Sequence, residues 1–214
     1  MTDKKELVIV IPGAKFIRHN TKFTQKLILF FYSITHVFKP VYSNYAKTWA
    51  DKFNAPNRKV IWLHWSRGLT TISMWLAVKR LHRIIKQYRN YDIKLVGISL
   101  GGEIILRTLR VEKYKDSITK AILVCPTNEL DFVLSNNTPI INIYSEHDFF
   151  AKIAVKILSP FFGGIKLKGD NVTNIEIPEF SHDKFCNDDK IESGEYAGKR
   201  ITDIVNSYLK DLKN

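Results

Sequence analysis

Six short apolar runs, mostly of β-branched residues, punctuate the chain. Leu7-Val8-Ile9-Val10-Ile11 comes first and is stopped by Pro12-Gly13. Val60 to Leu63, Ile93 to Ile98, Ala121 to Cys125 and Ile140 to Tyr144 follow, and Val172 to Ile177 closes the series before Pro178. Runs of this length bounded by proline and glycine read as strands buried on both faces. The last one alternates apolar and polar residues, as an edge strand does.

Helical periods lie between the runs. Met74, Val78, Leu81, Ile85 and Tyr88 recur at spacings of three and four, while Lys79, Arg80, Arg83, Lys86 and Arg89 fall largely off that stripe. This predicts an amphipathic helix with a basic outer face. Gly101 to Leu109 predicts a helix opening directly after the third strand. Ala197, Ile201, Ile204, Tyr208 and Leu212 predict one near the C-terminus. Strands alternating with helices imply parallel βαβ units, and so a three-layer α/β/α sandwich with a mostly parallel sheet of about six strands.

The stretch from Ala14 to Arg58 separates the first two strands. Its apolar residues, Leu27 to Phe38 above all, cover more than one helical face. It reads as a crossover helix packed on the sheet, with a hydrophobic flap or a membrane-surface contact as the alternative. At 214 residues the chain suits one domain.

Charge is unevenly spread. Up to Arg110 there are 20 Lys and Arg against 5 Asp and Glu, and after it 13 against 16, for a net +12. The first half is the expected face for an anionic partner. No zinc-finger or RNP motif accompanies it, so nucleic acid is not an expected partner. The N-terminus lacks a signal-peptide pattern and Leu27 to Ile34 is too short to span a bilayer, so a cytoplasmic protein is expected. Of two cysteines, Cys125 reads as a small buried hydrophobe and Cys186 as a loop thiol, with no bridge between them expected. No His, Cys or Asp spacing suggests a metal, and no cofactor is expected.

Chemistry concentrates in Gly97-Ile98-Ser99-Leu100-Gly101, a G-x-S-x-G between a strand and a helix. That context makes the motif informative: a serine in a tight strand-to-helix turn projects its hydroxyl at the carboxyl edge of the sheet. A serine needs a base, and the chain offers six histidines. His182 follows the last strand and can return to the same edge, with His64 its main competitor and His147 beside the expected acid. Asp148, after the fifth strand, is the expected acid, with Glu146 as backup. A carboxylate at position 148 could instead only cap a helix at Ala151, but Ser99, Asp148 and His182 stand in the chain order Ser, Asp, His. The oxyanion requires two N–H donors, assigned to Leu100 and, in the loop after the first strand, Ala14.

Together these residues resemble the α/β-hydrolase superfamily over Leu7 to Leu212. The resemblance implies that the first strand sits between the second and third. It also implies acyl transfer through a covalent acyl-serine that water then cleaves. The chain departs from the fuller pattern in starting at the strand that carries the oxyanion loop, in having Pro12 where many members have histidine, and in leaving no room for a cap between the fourth and fifth strands. The expected activity is carboxylic-ester hydrolysis on a small acyl substrate. A thioesterase or lysophospholipase acting on an acyl carrier or anionic lipid is the alternative, as is a non-catalytic binding module at membrane surfaces.

Overall fold

A computed structural model describes residues 5–13, 44–65, 71–115, 117–126, 128–129, 137–148, 162–164 and 166–210. The main sheet contains β1 (Glu6–Ile11), β2 (Arg58–Trp62), β3 (Asp92–Ile98), β4 (Ile118–Val124), β6 (Ile140–Tyr144) and β8 (Val172–Glu176). Its order is β2-β1-β3-β4-β6-β8, and every pairing in it is parallel. The first strand therefore lies between the second and third, as expected, and the alternating sixth run forms an edge. Two short strands that carry no legible pattern, β5 (Asn128–Glu129) and β7 (Phe162–Gly164), pair antiparallel apart from this sheet.

Alternation along β1 explains the layers. Leu7, Ile9 and Ile11 point to one face, where they join Met74, Leu81 and Ile85 of α2 (Thr71–Gln87) and Ile104, Ile105 and Leu109 of α3 (Leu100–Leu109). Val8 and Val10 point to the other. There they meet Trp49 of α1 (Asn44–Lys52) and Ile201, Ile204 and Val205 of α6 (Ile201–Leu209). Two apolar cores on opposite faces of one parallel sheet are the reason its strands are apolar at nearly every position. On α2 Met74, Leu81 and Ile85 are buried and Val78 partly so, while Lys79, Arg80, Arg83 and Lys86 are exposed, matching the predicted period.

Two short helices, α4 (Glu112–Lys115) and α5 (His182–Asn187), complete the described elements. The C-terminal helix begins at Ile201, not near Ala197. Residues 194–198 form a turn with positive φ at Gly194 and Gly198, and Asp203 accepts from the Arg200 N–H at 2.9 Å, fixing the helix start there. At its other end Lys94, itself buried, donates to Leu209 O at 2.8 Å and Lys120 donates to Tyr208 O at 2.8 Å. Cations thus satisfy carbonyls that a helix C-terminus leaves open. Lys94 and Arg58 also pair with Glu6 at 3.1 and 3.0 Å, which fastens α6 to the amino edge of the sheet.

No helix among the described residues is long and apolar enough to cross a membrane. The Leu27–Phe38 stretch lies outside the described residues.

Candidate active site

Because β3, β6 and β8 run parallel in one sheet, the turns that follow them open on the same, carboxyl edge. Ser99 follows β3, Asp148 follows β6 and His182 follows β8. Strand direction thus sets three residues distant in the chain along one edge of the sheet.

Ser99 has φ 54 and ψ −123, a backbone state that an L side chain rarely adopts. Its surroundings enforce it. The Ser99 N–H donates to Val124 O at 2.8 Å, and its own carbonyl accepts from the Gly102 N–H at 2.8 Å. A Cβ on Gly101 would stand 2.0 Å from the Ile11 carbonyl oxygen, and one on Gly13 would stand 2.7 Å from the Ser99 Cβ. Helix, first strand and serine therefore approach closely only because glycines stand at those points. Leu100 is the first residue of α3, so its N–H belongs to the set that a helix start leaves unpaired. Ala14, the other expected oxyanion donor, lies outside the described residues. The loop that leads to it is pinned by Trp65, whose buried Nε1 donates to Pro12 O at 2.9 Å.

Asp148 and His182 meet directly: Nδ1 of the imidazole lies 2.8 Å from Oδ2 of the carboxylate. Asp148 is wholly buried and His182 is 7% exposed. Burial disfavours the charged ring. The hydrogen bonds and charges of Asp148 and Cys186 outweigh that, so the His182 pKa is raised above its ordinary 6.5. The competing residues are elsewhere engaged. His64 sets its ring edge-on to Trp62 at 4.5 Å, and burial followed by the charge of Arg80 lowers its pKa. Glu146 and His147 are exposed.

Sequence reasoning missed Ser145. Its buried hydroxyl accepts from the His147 N–H and from the Phe180 N–H, both at 3.2 Å. One side chain thereby ties the acid loop to the histidine loop. Ser145→Ala leaves the buried Phe180 N–H without that acceptor. It is expected to cost about 1–2 kcal/mol of stability, read from a urea midpoint, and to lower kcat more than it raises KM. A serine just after a strand carries no signal of such a role until the neighbouring loop is known.

Sequence reasoning also missed the two thiols. Cys125 is buried as expected but sits just past β4 with φ 41, turned out of the strand pattern. Cys186 lies on α5, one turn after His182, and is not in a loop. Both are free cysteines. The two sulfurs and a His182 ring nitrogen lie within 4.8 Å of one another, a gathering that no spacing in the sequence signals. Burial pushes the Cys125 thiol up. The hydrogen bond with Cys125, set against burial, and the neighbouring His182 bring the Cys186 thiol down.

No family model and no curated protein matches the chain. Solved structures do. Est1E from Butyrivibrio proteoclasticus, in its complex with ferulic acid, aligns at 15% identity over 96% of this chain and 88% of its own, with a TM-score of 0.56. Dienelactone hydrolase from Anabaena variabilis ATCC 29413 aligns at 12% identity over 97% and 85%, with a TM-score of 0.54. With its six parallel strands in the order found here, the chain has the α/β-hydrolase fold.

Proposed function

We propose that this protein is a serine hydrolase that cleaves carboxylic esters through an acyl-serine intermediate. The observation that carries the reading is the Asp148–His182 pair at 2.8 Å, on the same sheet edge as a serine held in a strained strand-to-helix turn. Fold alone would not support an activity.

In this reading the Ser99 Oγ attacks the ester carbonyl carbon, and His182 takes its proton. Asp148 holds the Nδ1 tautomer and stabilises the imidazolium that forms. The Leu100 and Ala14 N–H groups receive the developing oxyanion at the start of α3, where the helix dipole favours negative charge. His182 returns the proton to the departing alkoxide, and the C–O bond breaks. Water, deprotonated by the same ring, then releases the acid and frees Ser99.

A fluorophosphonate probe followed by mass mapping tests this. Ser99 should carry the label, and Ser99→Ala should carry none. p-Nitrophenyl esters of graded chain length and acyl-CoA then separate ester from thioester preference. An unlabelled Ser99, with turnover no faster than the variant's on every substrate, rejects the reading in favour of a binding module.

A pH profile follows from the raised His182 pKa. Only the neutral ring can act as base, so kcat/KM should rise with pH through a midpoint above 6.5. Stability runs the other way. The charged ring beside Asp148 contributes below the unfolded value of about 6.5 and loses that contribution as pH climbs through the raised one. Thermal melts across the same range check the sign.

A further inference from the structure

Cys125, His182 and Cys186 come from a strand end and one helix face. Positions 182 and 186 are four apart on α5 and share a side of it, while Cys125 reaches the same spot from the end of β4. We infer that these three side chains form a binding site for a soft divalent cation of the zinc type, which takes the catalytic imidazole as one of its ligands.

The donor set is two thiols and an imidazole, the chemistry of many zinc sites. A tetrahedral ion with Zn–S of about 2.3 Å and Zn–N of about 2.0 Å holds its ligand atoms roughly 3.5–3.8 Å apart. Here the three atoms lie within 4.8 Å of one another, so side-chain rotations that draw them together by about 1 Å close the triangle. Nδ1 of His182 meets Asp148 at 2.8 Å, so an ion held through Nε2 would keep that pair intact. A carboxylate behind a ligating imidazole is the usual support for such a site. Three protein ligands leave a fourth position to water. Cys125 is wholly buried, whereas Cys186 is partly exposed and gives the ion a way in. Binding takes both sulfurs as thiolates and the ring unprotonated at its ligating nitrogen, so protons leave to solvent as the ion enters.

The binding stands on this geometry alone, while its consequence for turnover rests on the hydrolase reading. An imidazole whose Nε2 holds a cation cannot accept the Ser99 proton, so the bound ion is a reversible inhibitor. In effect the base is removed without disturbing the serine.

Titrating the reduced, metal-free protein with Co2+ under argon tests the site. The expected result is one equivalent bound, with a thiolate-to-cobalt charge-transfer band and the visible d–d bands of a tetrahedral ion, both erased when Zn2+ displaces the cobalt. C186S should lose most of the charge-transfer intensity and weaken zinc binding by at least about tenfold. On the unmutated chain, zinc should also shield Cys186 from iodoacetamide, a readout that survives even if the variant folds poorly. S99A should bind cobalt as the parent does. A cobalt spectrum without thiolate character, a band unchanged in C186S, or alkylation indifferent to zinc each overturns the inference. A normal cobalt band together with an unlabelled Ser99 would overturn the hydrolase reading alone.

Discussion

Asp148→Asn is expected to lower kcat for ester hydrolysis by roughly 10⁴-fold while leaving the protein folded. The carboxylate is wholly buried and meets the imidazole at 2.8 Å. Asparagine keeps its shape but not its charge. Presenting its amide nitrogen to Nδ1 forces the ring proton onto Nε2, the atom that receives the serine proton in the proposed mechanism. Presenting its oxygen preserves the tautomer but removes the charge that stabilises the imidazolium. Either way the transition state loses more than the ground state, so KM should change little. Steady-state kinetics on p-nitrophenyl acetate, with circular dichroism to verify folding, provide the check. A loss smaller than tenfold would mean that Asp148 does not orient the base.

Gly101→Ala is expected to be the most damaging small substitution to stability, costing about 3 kcal/mol or more. Its Cβ would stand 2.0 Å from the Ile11 carbonyl oxygen and 2.8 Å from the carbonyl carbon. Both atoms are backbone, in a strand hydrogen-bonded to neighbours on each side, so no rotamer change relieves the clash. Either α3 lifts from β1 or the serine turn opens, and both displace Ser99. In thermal unfolding, a loss of that size in a chain of 214 residues lowers Tm by about 6–12 °C. Gly198→Ala is the comparison: its φ of +81 strains a side chain, but nothing lies within 4 Å of the new atom. It should cost far less, and a melt as poor as that of Gly101→Ala would refute the steric account.

The sheet was legible because parallel strands buried on both faces must be apolar at nearly every position, and the chain carries few other runs of that kind. Ser99 was legible from the glycines two positions either side, and the structure assigns each a steric reason. Asp148 and His182 were legible only as residues that follow strands, since their meeting depends on the sheet order. Elements of two to six residues, such as β5, β7 and α5, are too short to show a period. The thiol pair was hidden for a different reason. Cys125 ends an apolar run and reads as part of it, but its positive φ breaks the strand's alternation there, and its sulfur lies beside that of Cys186 and the His182 ring. Cys186 shares a helical face with His182, yet nothing in the sequence announced that helix. The Ala14–Arg58 crossover gave a hydrophobic pattern with no single period, and only Asn44–Lys52 within it is described as helix.

Asp188 connects parts of the fold that the Asp148–His182 pair does not touch. In a left-handed position just after α5, it accepts from the Thr202 N–H at 2.8 Å, from the Thr202 hydroxyl at 2.7 Å and from Lys52 of α1. Its backbone carbonyl takes Arg200 at 2.8 Å. Three helices thus share one anion, so they should gain and lose deuterium as a single cooperative unit. Transient fraying that begins at Thr202 would carry His182 away from Asp148, which makes the lifetime of that pair a property set partly at the far end of α5.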